Sequence, residues 1–199
     1  MSAERSRGRR PGGPDTRGQI LEAARTSFAE KGFGRTTIRS VAAEAGVDPA
    51  LVHHYFGSKD DLFLAALRIP ADPRELVPQV FAAGLEGAGQ RLVRLVLSVW
   101  DDPETRMPLA ALLRSSFAQE GPENLLEAGL MRLVLAPLRE VLPAGEADRR
   151  AQLVATQMLG LIVARYVLCL EPLASMTVDE LVAWVAPNVQ RFLDGPAPS

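Results

Sequence analysis

His53 and His54 stand side by side in the stretch VDPALVHHYFGSKDDLF (residues 47–63), followed by Tyr55, Phe56 and a lysine, Lys59, next to Asp60 and Asp61. Imidazoles bind metals and move protons, and nearby carboxylates would complete either function. Helical geometry argues against a shared metal, because adjacent positions diverge by about 100° around the axis. The chain also holds no third histidine and only one cysteine, Cys169. It contains no nucleophile–base pair, glycine-rich phosphate loop or metal triad, so no catalytic residue, metal ligand or cofactor is assigned and an enzyme is not expected. The donors and the tyrosine, ending in a lysine, suit the grip of a short helix on an anionic groove instead.

The elements that would position these residues are helices, because period 3.6 recurs along the chain and period-two alternation is nearly absent. A capping box from Thr16 to Gln19 opens helix one, whose stripe is Ile20, Leu21, Ala24 and Phe28, and Gly32 ends it. The turn GFGRT sets Phe33 beneath the helices, and Thr36 caps helix two, with Ile38, Val41, Ala42 and Ala45 facing inward. Gly46 ends that helix in the left-handed conformation. Asp48 is an N-cap with Pro49 at the first helical position, and Leu51, Val52, Tyr55 and Phe56 form the apolar side of a short third helix closed by Gly57. Ser58 caps helix four, and Asp60 and Asp61 sit in its first turn as capping residues rather than catalytic acids. Helices two and three, joined at Ala45-Gly46-Val47, match a helix-turn-helix, a unit that usually reads DNA.

With 199 residues, 47% hydrophobic and 23% charged, the chain has room for one large core or two small ones. Residues 1–59 hold ten Lys/Arg against six acids, while the remaining 140 carry −6 within a total of −2. Only the N-terminal end therefore suits a polyanion. The segment MSAERSRGRRPGGPDTR is basic with no apolar run after it, unlike a secretory signal. The longest apolar run, Gly160 to Leu170, is interrupted by Arg165 and too short to cross a bilayer. With the single cysteine, these features point to a cytoplasmic protein without a membrane partner.

Three segments follow: a disordered basic arm (1–14), the helix-turn-helix unit (15–68) and a second helical domain (73–195). The spacing predicts helices in the second domain over 74–85, 90–99, 109–119, 123–142 with a kink at Pro137, 147–170 and 178–193, punctuated by prolines. The 147–170 helix is apolar nearly all round and must be covered on every side; one side is assigned to a second copy, with Gly160 and Ala164 permitting close approach. Phe81, Trp100, Met107, Phe117, Met131 and Met158 are candidates to line an effector cavity, although residues of these types are more often simple core. Arg165, alone in an apolar helix, needs a carboxylate, a pocket or an interface, and is the polar candidate for ligand or dimer contact.

The segment ILEAARTSFAEKGFGRTTIRSVAAEAGVDPALVHHYFGSKDDLF resembles the TetR family of bacterial transcriptional regulators. The resemblance lies in the GF turn after helix one, the TT-x-R-x-VA-x-EAGV pattern, the short helix ending YF and the lysine opening helix four. It covers residues 16 to 67; the stretch ARYVLCLEPLASMTVDELVAWVAPNVQRFL is similar to the C-terminal domain of an actinobacterial subset. The resemblance implies an all-α fold, with a three-helix DNA-binding unit and a helical bundle for ligand binding and dimerisation. It places Asp48, Pro49, Ala50, His53, His54 and Tyr55 near the major groove, with Thr36, Thr37 and Lys59 on phosphates. Arg39 would reach a base or a phosphate, and Arg5, Arg7, Arg9 and Arg10 would follow the adjacent minor groove or simply raise non-specific affinity. His53 stands where tyrosine is commonest and can donate to a phosphate through either ring nitrogen. Asp48 stands where serine is more usual and can accept from a cytosine amine. The expected protein is a homodimeric repressor released from its double-stranded operator by a small apolar or amphipathic effector, and nucleoid-associated when bound. The alternatives are a dimeric regulator without an effector and, remotely, a helical binding protein or enzyme built on an apolar cavity.

Overall fold

The computed structural model describes residues 15–69, 72–118 and 131–196. The arm at 1–14, with Arg5, Arg7, Arg9 and Arg10, and the start of the helix expected from residue 123 lie outside the described residues. Ten α-helices and no strand occur among those described. They are α1 (Thr16–Arg35), α2 (Ile38–Ala45), α3 (Pro49–Phe56), α4 (Lys59–Ala66), α5 (Pro73–Phe81), α6 (Ala88–Asp101), α7 (Pro103–Ala118), α8 (Met131–Val141), α9 (Ala147–Ile162) and α10 (Val178–Asp194).

In the first unit, α1 packs against α2 and α4, and α2 against α3. Its centre is aromatic. Phe28 and Phe33 stack at 5.8 Å between ring centres, and Phe63 meets each of them edge-on at 5.0 Å, a geometry that aligns ring edges with ring faces. The path of α1 breaks at Gly32, whose φ of 71° and ψ of 171° only glycine adopts freely. Two caps differ from the sequence expectation. The first helix is capped by Asp15, whose carboxylate accepts from Gly18 N at 3.0 Å, rather than by Thr16. The cap of α2 is Thr37, which shares a reciprocal box with Ser40, rather than Thr36. Asp48, Pro49 and Ser58 occupy the capping and first-turn positions expected of them.

The apolar core of this unit does not close at residue 68. Trp100, Leu109, Ala110, Leu113 and Leu133, from α6 to α8, belong to the same buried cluster as Phe28 and Phe63. A second cluster joins α5, α6, α8, α9 and α10. Within it α6 and α10 approach so closely that a Cβ on Gly89 would lie 2.7 Å from the Ala186 carbonyl oxygen. The helix expected over 147–170 ends early. After Ile162 the turn widens into a π-helix over Val163–Val167, and Cys169 follows with φ of 51°. Here Arg165 donates through Nη1 to the carbonyls of Leu173 (2.7 Å) and Met176 (2.9 Å), tying down the connection to α10.

Candidate nucleic-acid interface

The start of α3 is fully capped. Pro49 has no N–H, Ala50 N donates to Asp48 Oδ1 at 2.7 Å, and Leu51 N donates to the Asp48 carbonyl at 2.9 Å. A partner must therefore be met by side chains, and α3 exposes His53, His54 and Tyr55 while burying Val52 and Phe56. Tyr55 is 42% exposed, and its ring lies against His54 at 5.6 Å and Phe56 at 6.2 Å. The His53 ring is committed on one side, with Nδ1 2.8 Å from the Gly57 carbonyl oxygen. A carbonyl only accepts, so the proton sits on Nδ1 and only Nε2 remains for a partner. Neutral His53 thus presents an acceptor and becomes a donor at Nε2 only as imidazolium. This corrects the expectation that either nitrogen is free to donate.

Lys59 opens α4 beside this surface. Its ammonium lies 4.2 Å from the centre of the Phe33 ring and 3.4 Å from the Gly34 carbonyl oxygen. Burial, and then the positive charge of Arg132, lower its pKa from the ordinary lysine value. Thr37 and Arg39, at the start of α2, are exposed. Thr36 is not: its side chain is fully buried and its hydroxyl donates to the carbonyls of Ser27 (3.0 Å) and Gly32 (2.8 Å). It closes the broken end of α1 and has no hydroxyl to offer a phosphate, so it leaves the set of phosphate contacts. Arg17, which local patterning did not single out, lies 5.3 Å over the Phe56 ring and adds a cation near the end of α3.

A cavity of about 180 Å³ lies in the second unit, bounded by α5 to α9 and by Ile69 and Pro73 at the junction with α4. Its lining includes Trp100 and Met158 and is apolar throughout. Phe81 does not line it and belongs to the second core cluster. Met107 is 72% exposed. The side chains of Phe117 and Met131 fall outside the described residues. Arg165 does not line the cavity either; beyond the two carbonyls it approaches Asp101, at 3.8 Å, and its guanidinium lies 5.4 Å from the centre of the Tyr166 ring. Tyr166 donates to the same Asp101 at 2.8 Å, and burial followed by this bond pushes its pKa up to about 12.

Two family profiles match this arrangement. One, described as bacterial regulatory proteins of the tetR family, covers residues 20–66; the other, the tetracyclin repressor-like C-terminal domain, covers 86–193. The chain belongs to the TetR family. A TetR-family regulator of Streptomyces coelicolor A3 superposes with a TM-score of 0.54 at 39% identity, over 94% of this chain and 98% of that one. The HTH-type transcriptional regulator HbdR of an Aromatoleum species is 37% identical over 86 residues, 43% of this chain and 36% of that protein. The regulator BetI of Brucella anthropi is 46% identical over 55 residues, 28% of each. The matched part thus spans about a third or less of these two curated relatives. This TetR-family protein is a DNA-binding transcriptional regulator with an N-terminal helix-turn-helix unit and a helical C-terminal domain. Among its described residues no helix is long and apolar enough to cross a membrane.

Proposed function

We propose that this regulator is a homodimeric cytoplasmic repressor that leaves its operator when a small apolar effector fills the cavity. The observation that carries the reading is the junction. One molecule combines an exposed α3 edge beside Lys59 with an apolar cavity whose wall includes Ile69 and Pro73, the residues that lead out of α4. The groove-facing set is Asp48, Pro49, Ala50, His53, His54 and Tyr55, with Thr37, Arg39 and Lys59 on the backbone. His53 meets phosphate only as imidazolium and, when neutral, accepts from a base amine. The second copy covers the outer faces of α9 and α10, where Leu153 is 41% and Trp184 75% exposed and Gly160 leaves open space above the helix. Two recognition helices would then meet successive major grooves, about 34–36 Å apart. A ligand that binds better when that separation is wrong shifts the population off DNA.

The lining favours an apolar effector over one with an ionised group, since a charge without a partner is costly there. The size favours a small one, because an apolar cavity of about 150 Å³ stays dry and binds benzene. Ligand pockets of about 300–1,000 Å³ are more usual, which supports the second reading, a dimeric regulator whose C-terminal core only assembles. Gel-shift titration against the promoter region flanking the regulator's own gene tests the first. Tight, sequence-dependent binding that weakens in His54→Ala and Tyr55→Ala is expected. Weak binding that is indifferent to sequence and to both substitutions would refute the operator reading.

A further inference from the structure

Asp60 and Asp61, side by side at the start of α4, are each held by an arginine from beyond the helix-turn-helix unit. Arg132, at the start of α8, pairs with Asp60. Arg74, at the start of α5, places Nη2 2.5 Å from Asp61 Oδ1. Capping alone accounts for only one of these acids. Asp61 closes the box with Ser58, accepting from its N–H at 3.1 Å, whereas Asp60 has no part in that box. Both arginines are themselves seated. Arg74 donates through Nε to both oxygens of Asp72, at 3.0 and 3.1 Å. The Arg132 guanidinium lies 4.9 Å from the centre of the Phe33 ring that also carries the Lys59 ammonium. The two grips therefore converge within two residues of Lys59.

Each arginine also stands next to the cavity wall. Pro73 and Leu76 flank Arg74 on α5, and Val134 follows Arg132 by half a turn on α8; all three line the cavity. A molecule that spreads these walls moves the helix starts that hold α4. We propose that Arg74 and Arg132 form a two-point clamp through which occupancy of the cavity sets the position of the α4 N-terminus and of Lys59. They are positioning residues, and the inference rests on the reading of the cavity as an effector site. The pairs are partly exposed, 34% and 41% for Arg74 and Asp61, 52% and 27% for Arg132 and Asp60. Such pairs hold weakly, and a clamp can be opened only by a ligand whose preference for the open state exceeds its strength.

The test fills the cavity without needing the natural ligand. Ala155, which lines it, is replaced in Ala155→Phe. Operator affinity is measured in the full chain with the clamp intact and with Arg74→Ala and Arg132→Ala combined. Because the comparison is between filled and unfilled cavity, any general effect of the lost charges cancels. Filling should weaken binding on the order of tenfold with the clamp intact and by less than about twofold without it. Arg74→Lys with Arg132→Lys, which keeps both charges, should restore the response. If Ala155→Phe does not fold, saturating benzene is the probe, its occupancy verified by thermal stabilisation. Equal weakening with and without the arginines overturns the clamp while leaving the effector reading intact. No weakening in either background, with the cavity verified as filled, overturns both.

Discussion

Replacing Lys59 by alanine separates phosphate binding from every other role the residue could have. Its ammonium is poised against Phe33 at 4.2 Å and Gly34 at 3.4 Å, so a phosphate brought to it would meet a charge already localised. A charged hydrogen bond to phosphate contributes about 1.5–3 kcal/mol, and leaving the ring face costs about 0.5–1 kcal/mol. The net is about 1–2 kcal/mol per protomer, a loss of roughly 5- to 30-fold in affinity. Salt dependence gives a sharper number. Each phosphate neutralised contributes about −0.9 to the slope of log affinity against log salt. Between 50 and 200 mM salt the wild-type advantage should therefore shrink about 3.5-fold per protomer, or about 12-fold for two. Fluorescence anisotropy with an operator and a scrambled duplex across that range measures it. The reasoning requires the same loss on both duplexes and a slope flatter by about one unit per protomer. An unchanged slope would mean that Lys59 supports only the Phe33 turn, and a loss confined to the operator would make it a base contact.

Three further outcomes follow from the geometry. Trp184→Asp places a charge on the exposed face of α10 and should leave the monomer folded while abolishing the dimer; a dimer surviving in sedimentation equilibrium would remove that face from the interface. Gly89→Ala forces a methyl group to within 2.7 Å of the Ala186 oxygen and should cost about 1–3 kcal/mol, so an unchanged urea midpoint would show that α6 and α10 are not so tightly opposed. The Ser58 hydroxyl and then Arg74 hold the pKa of Asp61, and Arg74 that of Asp72, below the ordinary aspartate value of about 3.8. Both acids bind protons more weakly folded than unfolded, so their stabilisation is complete above that value and is lost as pH falls through the depressed ones. Melting temperature followed below about pH 5 should therefore drop less steeply in Arg74→Ala than in wild type.

The parts of the molecule legible in its sequence are those decided within one helical turn. Asp48 before Pro49, Gly46 and Gly57 at the helix ends, and Ser58 with Asp61 are local bargains between a side chain and backbone groups no more than a few residues away. Thr36 and Thr37 show the limit of that logic. Either threonine suits a cap, and the choice is made by the carbonyls of Ser27 and Gly32, which the Thr36 hydroxyl reaches where α1 breaks. In the second unit, prolines and periodicity outlined the helices, but no periodicity separates a cavity wall from a core. Trp100 and Met158 border the space while Phe81 is packed in a cluster, and all three are large, apolar and buried. The pairs Arg74–Asp61 and Arg132–Asp60 were hidden for another reason. Their partners are 13 and 72 residues apart, beyond any helical spacing. The surplus of two adjacent acids where one cap suffices was the only local sign of them.

The cavity and the clamp are matched in strength. Enclosing a ring-sized hydrocarbon gains about 1.5–3 kcal/mol from burial, and two partly exposed ion pairs resist opening by about 0–1 kcal/mol each. A small apolar molecule that gains this burial only in the open state can therefore offset both pairs, which together resist by about 0–2 kcal/mol. Were the same pairs fully buried, breaking them would cost about 3–5 kcal/mol, and no ligand of the size this space admits would suffice. The placement of the charges at the rim and of apolar side chains around the cavity thus has a functional consequence. It keeps the ligand's gain above the clamp's resistance, while the Lys59 anchor beside the clamp remains exposed enough to engage DNA once the cavity empties.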